Sequence, residues 1–130
     1  MKQKAFLIAP VRNLDYEYKR LIDYQAEYLE QAYKVYYPGR DTNQHQHELD
    51  ICNDNLKAMK DSDIVLMIWD GKSQGCLFDL GMAFALHKPV QSIIGYMPRM
   101  TTSKSFQNLV YEMEEQGMFS GVQPPESHGP

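Results

Sequence analysis

The chain has 130 residues and a mass of 15.1 kDa, with 43% hydrophobic and 23% charged residues; one compact domain fits that length, and it can bury a core without disulfides or a structural metal. Its 13 basic and 17 acidic residues leave a net charge of −4, which disfavours a nucleic acid polymer as partner, because phosphate-backbone binding needs clustered Lys and Arg. The apolar runs are too short for a membrane span or a signal peptide, and two cysteines without a CxxC pattern, Cys52 and Cys76, imply no disulfide framework, so a cytoplasmic protein with a small-molecule ligand is expected.

In chain order, residues 4–10, KAFLIAP, form a short apolar run closed by proline, the pattern of a buried parallel strand. The polar loop Val11, Arg12, Asn13 follows. Asn13 or Asp15 is placed to cap a helix over residues 14–33, where Leu14, Tyr18, Leu21, Ile22, Leu29 and Ala32 recur at helical spacing. Residues 34–37, KVYY, read as a second strand stopped by Pro38 and Gly39. Residues 38–47, PGRDTNQHQH, lack a hydrophobic side chain and read as a surface loop. Helical period returns over residues 48–61 through Leu49, Cys52, Leu56 and Met59, which assigns Cys52 to the core. Residues 64–69, IVLMIW, are the central strand. A glycine-bearing loop over residues 70–75 leads into a helix over residues 76–87 with Leu77, Leu80, Ala83 and Phe84 on one face. Lys88 and Pro89 break that helix, residues 90–96 form a fourth strand, and Ser103 or Ser105 is placed to cap a last helix reaching Glu115. One domain over residues 1–122 results, with a flexible tail of disorder-like composition over residues 123–130.

Strands alternating with helices predict an α/β fold: a small doubly wound, mainly parallel sheet of four to five strands with helices on both faces, flavodoxin-like or Rossmann-like. Ligands in such sheets sit beyond the carboxyl ends of the strands, here at residues 9–13, 36–47 and 70–75. The helix starting near Gly75 turns its amide-bearing end into that crevice. With Ser73 before it and Arg12 on the neighbouring loop, it suits a phosphate or carboxylate, although a serine there also serves as a plain cap. Asp79, between Phe78 and Leu80, is either a first-turn acid facing water or a carboxylate within an apolar stripe, costly unless paired or used. His45 and His47 match no zinc signature. His87 suits the end of a helix. Cys76, at a helix N-terminus, is open to a lowered thiol pKa. No GxGxxG, Walker loop or G-x-S-x-G is present.

Three segments resemble the nucleoside 2-deoxyribosyltransferases and the related deoxynucleoside monophosphate N-glycosidases. They are FLIAPVRN, DNLKAMKDSDIVLMIWDG and SQGCLFDLGMAFALHKPV; the last is similar to the family pattern S/D-x-G-x-x-x-E-L-G-x-A-x-A-L-G-K-P. The resemblance implies cleavage or transfer at the N-glycosidic bond of a (deoxy)nucleoside or its 5′-monophosphate, by a carboxylate nucleophile through a glycosyl-enzyme intermediate, with no cofactor or metal. Asp79 falls on the nucleophile position and Asn55 on that of an acid in the preceding helix, where it would orient Asp79. The family nucleophile is usually glutamate, Asn55 stands where the family has aspartate, and His87 replaces the usual glycine. Ser73 falls where the monophosphate hydrolases hold phosphate, and Arg12 on the first-loop position that meets the anion. Ala9 and Pro10 after the first strand, Trp69, Asp70 and Gly71 after the third, and the amides near Gly75 are the expected substrate-binding groups.

Seven of the nine tyrosines lie between Tyr16 and Tyr37. Tyr16 and Tyr18, with Tyr36 and Tyr37, are expected beside the crevice, where an aromatic face can stack on a nucleobase. Tyr24, Tyr28 and Tyr33 are expected to pack or to form a subunit seam. Loops this short, and the family's habit of pairing subunits over the site, imply a homodimer or higher homo-oligomer. A non-catalytic nucleotide-binding or sensing protein of the same fold is the alternative.

Overall fold

The computed structural model describes residues 1–93 and 95–116, so the tail at 123–130 and the domain end at 122 lie outside the described residues. The elements are β1 (Gln3–Ile8), α1 (Tyr16–Leu29), β2 (Tyr33–Tyr36), α2 (Pro38–Asp41), α3 (Glu48–Lys60), β3 (Ile64–Met67), α4 (Gln74–Ala85) and β4 (Val90–Ser92). A 3-10 turn (Phe106–Asn108), capped by Ser105, then leads into α5 (Leu109–Glu115).

The four strands form one parallel sheet in the order β2-β1-β3-β4. Successive strand residues face opposite sides, and both sides are covered. Phe6, Ile8, Val65 and Met67 pack with Met59, Leu80, Ala83, Val110 and Met113 from α3, α4 and α5. Ala5, Leu7, Ile64 and Leu66 pack with Ile22 and Ala26 of α1. Two covered faces explain why these strands read as continuous apolar runs. Each large aliphatic or aromatic side chain so buried contributes about 1.5–3 kcal/mol. The chain leaves β1 for β2 through α1 on one face and reaches β3 through α3 on the other. The carboxyl ends of β1 and β3 therefore flank the point where the winding reverses, where such sheets bind ligands.

Several local expectations shift. Helix α1 begins at Tyr16 because the Asp15 carboxylate accepts from the Tyr18 N–H at 2.8 Å, and it ends at Leu29, leaving Tyr33 to start β2. The buried face of α3 is Ile51, Asn55 and Met59, while Leu49 is 71% exposed. On α4, Leu80 and Ala83 are buried but Phe84 is exposed. Pairing in β3 stops at Met67 and in β4 at Ser92.

The largest difference lies at residues 38–47, which are not simply a surface loop. Pro38 and Thr42 are buried. The Asp41 carboxylate accepts from the Tyr37 N–H at 2.9 Å and from the Arg40 guanidinium at 2.8 Å, and Arg40 also donates to the Val35 carbonyl at 2.8 Å. Burial opposes ionisation of Asp41, but Arg40 and the Tyr37 N–H outweigh it and hold the carboxyl below its ordinary value. Polar side chains here satisfy the backbone, so the segment is ordered without an apolar signature. Among the described residues, no helix is long and apolar enough to cross a membrane.

Candidate active site

A cavity of about 570 Å³ opens at the carboxyl ends of β1 and β3, within the range of small-molecule sites. Three stretches distant in sequence wall it: the loop after β1, the run from α2 into α3, and the loop after β3 with the start of α4.

The loop after β1 contributes Ala9, Arg12 and Asn13. Asn13 has φ of 56°, a left-handed conformation that asparagine tolerates better than most residues. Pro10 is buried and off the wall. In the loop after β3, Asp70 Oδ1 accepts from the backbone N–H of Lys72 at 2.9 Å and of Ser73 at 2.8 Å, an Asx turn that fixes the loop. Gly71 supplies the φ of 81° that this turn needs and faces Pro98 rather than the cavity. Trp69 is 6% exposed and belongs to the core. Its indole Nε1–H donates to the Ser73 carbonyl at 2.9 Å, bracing the loop from beneath.

Helix α4 starts just after Ser73, whose hydroxyl makes no capping bond. Gly75 and Asp79 both line the cavity. The buried face of α4 is Cys76, Leu80 and Ala83; Asp79 flanks it, half-buried. No hydrogen bond or ion pair engages its carboxylate among the described residues, and burial raises its pKa to about 7. The lowered thiol pKa left open for Cys76 does not occur: burial pushes the thiol up to about 12, outweighing the lowering by the Ser73 hydrogen bond. Arg12 and Lys72 are exposed on the wall and take part in no ion pair among the described residues.

From α3, Asn55 reaches the cavity although it is only 7% exposed. Its Oδ1 accepts from the Thr42 hydroxyl at 2.7 Å, and no hydrogen bond joins it to Asp79. The structure thus brings Ala9, Arg12, Asn55, Asp70, Ser73, Gly75 and Asp79 onto one cavity and leaves Pro10, Trp69 and Gly71 off it. Tyr16 and Tyr37 are also off the wall. Tyr16 is 74% exposed, with the Arg20 guanidinium 5.8 Å from its ring centre. Tyr37 follows the two-residue strand period with Tyr33 and Val35 onto the α1 face, where it is buried. Tyr18 is half-buried, and burial followed by the nearby Asp70 raises its hydroxyl to about 12.

Cys52, Gln44, Lys72 and Phe78 line the cavity without having been singled out as ligand contacts. Cys52 precedes Asn55 by one helical turn, so the α3 register that carries Asn55 inward carries Cys52 to the wall rather than into the core. Lys72 sits inside the loop already marked by Asp70 and Ser73. Among the described residues, no group of three or more His, Cys, Asp or Glu could hold a metal ion.

No curated protein matches this chain. The family model of the nucleoside 2-deoxyribosyltransferases matches residues 6–120, a span that contains all three walls of the cavity. An α/β sheet with its cavity at the β1/β3 switch point and a carboxylate on the helix after β3 accords with that match, and the chain belongs to the nucleoside 2-deoxyribosyltransferase family.

Proposed function

We propose that the protein cleaves or transfers at the N-glycosidic bond of a deoxynucleoside or its 5′-monophosphate, with Asp79 as nucleophile. The observation that carries this reading is the state of Asp79: a half-buried carboxylate without a hydrogen-bond or ion-pair partner among the described residues, on the wall of a nucleotide-sized cavity. An unpaired buried carboxylate is unfavourable for folding, which favours a role in chemistry. In the reaction, a carboxylate oxygen bonds to the anomeric carbon as the C–N bond breaks, and the base leaves with the bonding pair and takes a proton. Water or a second base then displaces Asp79 and restores the carboxylate. Only the ionised acid attacks, so kcat/KM rises with pH toward the Asp79 pKa near 7.

Arg12, Lys72, Ser73 and the first amides of α4 make the wall beside Asp79 suited to an anion, which favours a 5′-monophosphate over a nucleoside. Asp70 holds the loop that carries Lys72 and Ser73. Asn55 contacts the ligand as a donor. Leu21, Tyr24 and Tyr28 form an exposed face on α1, suited to pairing two copies of the chain. A sedimentation coefficient of a monomer at micromolar concentration would remove that pairing.

The second reading is a nucleotide-binding protein without turnover. It is favoured by Asn55, which cannot take a proton or carry charge where the resemblance places an acid. Incubation with each deoxynucleoside and each deoxynucleoside 5′-monophosphate, with and without an acceptor base, separates the two. Released or exchanged base supports the enzyme. Tight binding without product supports the binder, and neither binding nor product overturns both.

A further inference from the structure

We propose that Thr42, held by Tyr36, is a positioning residue that presents Asn55 to the cavity as a hydrogen-bond donor, so that the ligand group it meets is an acceptor. This rests on the reading of the cavity as a nucleoside or nucleotide site.

The argument starts from strand register. Phe6 of β1 pairs with Tyr36 of β2, and their rings stack with centroids 5.6 Å apart and planes 20° from parallel. That stack fixes the phenol. Its hydroxyl is hydrogen-bonded to the Thr42 hydroxyl, which in turn reaches Asn55 Oδ1 at 2.7 Å. Thr42 and Asn55 are both more than nine-tenths buried. Each hydroxyl has one proton to give. If Thr42 donates to Asn55, Tyr36 must donate to Thr42, and every proton of the chain is used. The Asn55 Nδ2 amine, which takes no protein acceptor among the described residues, is then the end left for the cavity. With the amide turned over, the Thr42 oxygen would accept from the Asn55 amine, one of the two hydroxyl protons would have no acceptor within this relay, and the Asn55 oxygen would face a wall that also carries Asp79. Both changes are unfavourable, because unmet polar groups in a half-buried site lose their hydration without return. A carboxylate at position 55 would offer acceptors at both ends; the carboxamide, with its oxygen taken by Thr42, offers donors alone. The group it meets on the ligand is an ether, hydroxyl or carbonyl oxygen, or a ring nitrogen lone pair.

The test uses Thr42→Val, Thr42→Ser, Tyr36→Phe, Asn55→Ala and the Thr42→Val/Asn55→Ala double variant. Calorimetry measures their binding of the four deoxynucleoside 5′-monophosphates, each taken singly. Thr42→Val lets the amide turn and weakens binding about tenfold, while Thr42→Ser keeps the hydroxyl and stays within about twofold of the parent. In the Asn55→Ala background, Thr42→Val has no further effect, because Thr42 acts through Asn55. An equal loss in both backgrounds overturns the proposal, since it would make Thr42 a packing residue alone. Nuclear magnetic resonance of the unliganded protein gives a readout independent of the ligand. The Asn55 side-chain NH2 pair, identified by its loss in Asn55→Ala, moves in Thr42→Val and Tyr36→Phe and returns in Thr42→Ser; a pair unmoved in all three overturns the relay. If no nucleotide binds while the NH2 pair responds as stated, the nucleotide reading of the cavity falls and the relay stands.

Discussion

Replacing Asp79 with Asn should make the protein more stable, and the gain should grow with pH. Burial holds the Asp79 pKa near 7 in the folded protein, against 3.8 for the free group. A carboxyl whose folded pKa is raised contributes its full stability below the unfolded pKa and loses it as pH rises through the folded one. The window here is about pH 4 to pH 7. At about 1.4 kcal/mol per pH unit, the difference between about pH 5 and about pH 8.5 has a ceiling of roughly 3 kcal/mol. Asp79 borders an open cavity that water enters, so about half of that, roughly 1.5 kcal/mol, is the expected widening. Asparagine does not titrate, and every other ionisable group is common to both proteins and cancels in the difference. Urea unfolding of the two proteins at both pH values measures the gap directly, and melting curves should show it as a shift of roughly 4–8 °C. A gap of the same size at both pH values would refute the reasoning, because it would mean that Asp79 is solvated as an ordinary surface acid. The same variant should be inactive, which makes the native carboxylate a sacrifice of stability for function.

The titration that destabilises the fold should also limit turnover: kcat/KM falls below about pH 7 in step with Asp79 protonation, and an acid limb near pH 4 would show that Asp79 titrates as an ordinary carboxylate, not one raised by burial. Arg12→Ala and Lys72→Ala should each weaken 5′-monophosphate binding about tenfold and nucleoside binding much less, read by calorimetry; equal losses for both ligands would argue against a phosphate at that wall. Iodoacetamide near pH 8 should label Cys52, which is part-exposed on the cavity wall, and spare Cys76, buried with its thiol pushed up to about 12. Peptide mass mapping reads the site, and a bound nucleotide should slow the Cys52 reaction. Gly39→Ala should cost about 1–3 kcal/mol, because a Cβ there would lie 2.7 Å from the hydroxyl of Tyr37, whose buried ring has little room to retreat. Urea unfolding measures this loss, and an unchanged midpoint would show that the ring yields.

The amino-acid sequence by itself determined the β-α alternation, the parallel sheet and the segments that follow β1 and β3. A buried parallel strand is a continuous apolar run, and a covering helix repeats at its own period, so both are local signals. Family membership was legible for the same reason, since its strongest block, around Ser73, Asp79 and Lys88–Pro89, is one continuous stretch of chain. What only the tertiary structure decided are the matters of facing. Sequence period left Asp79 between water and the apolar stripe; the cavity wall made it half-buried and without a partner among the described residues. Tyr36 and Tyr37 are neighbours, yet the strand period sends Tyr37 into the core over α1 and Tyr36 toward Thr42 and Asn55. Residues 38–47 read as solvated loop because their order rests on hydrogen bonds that Asp41 accepts and that Arg40 and Thr42 donate, and such bonds leave no hydrophobic pattern to read. The cavity joins three stretches that approach one another only when the sheet is wound, so no local pattern could have closed it.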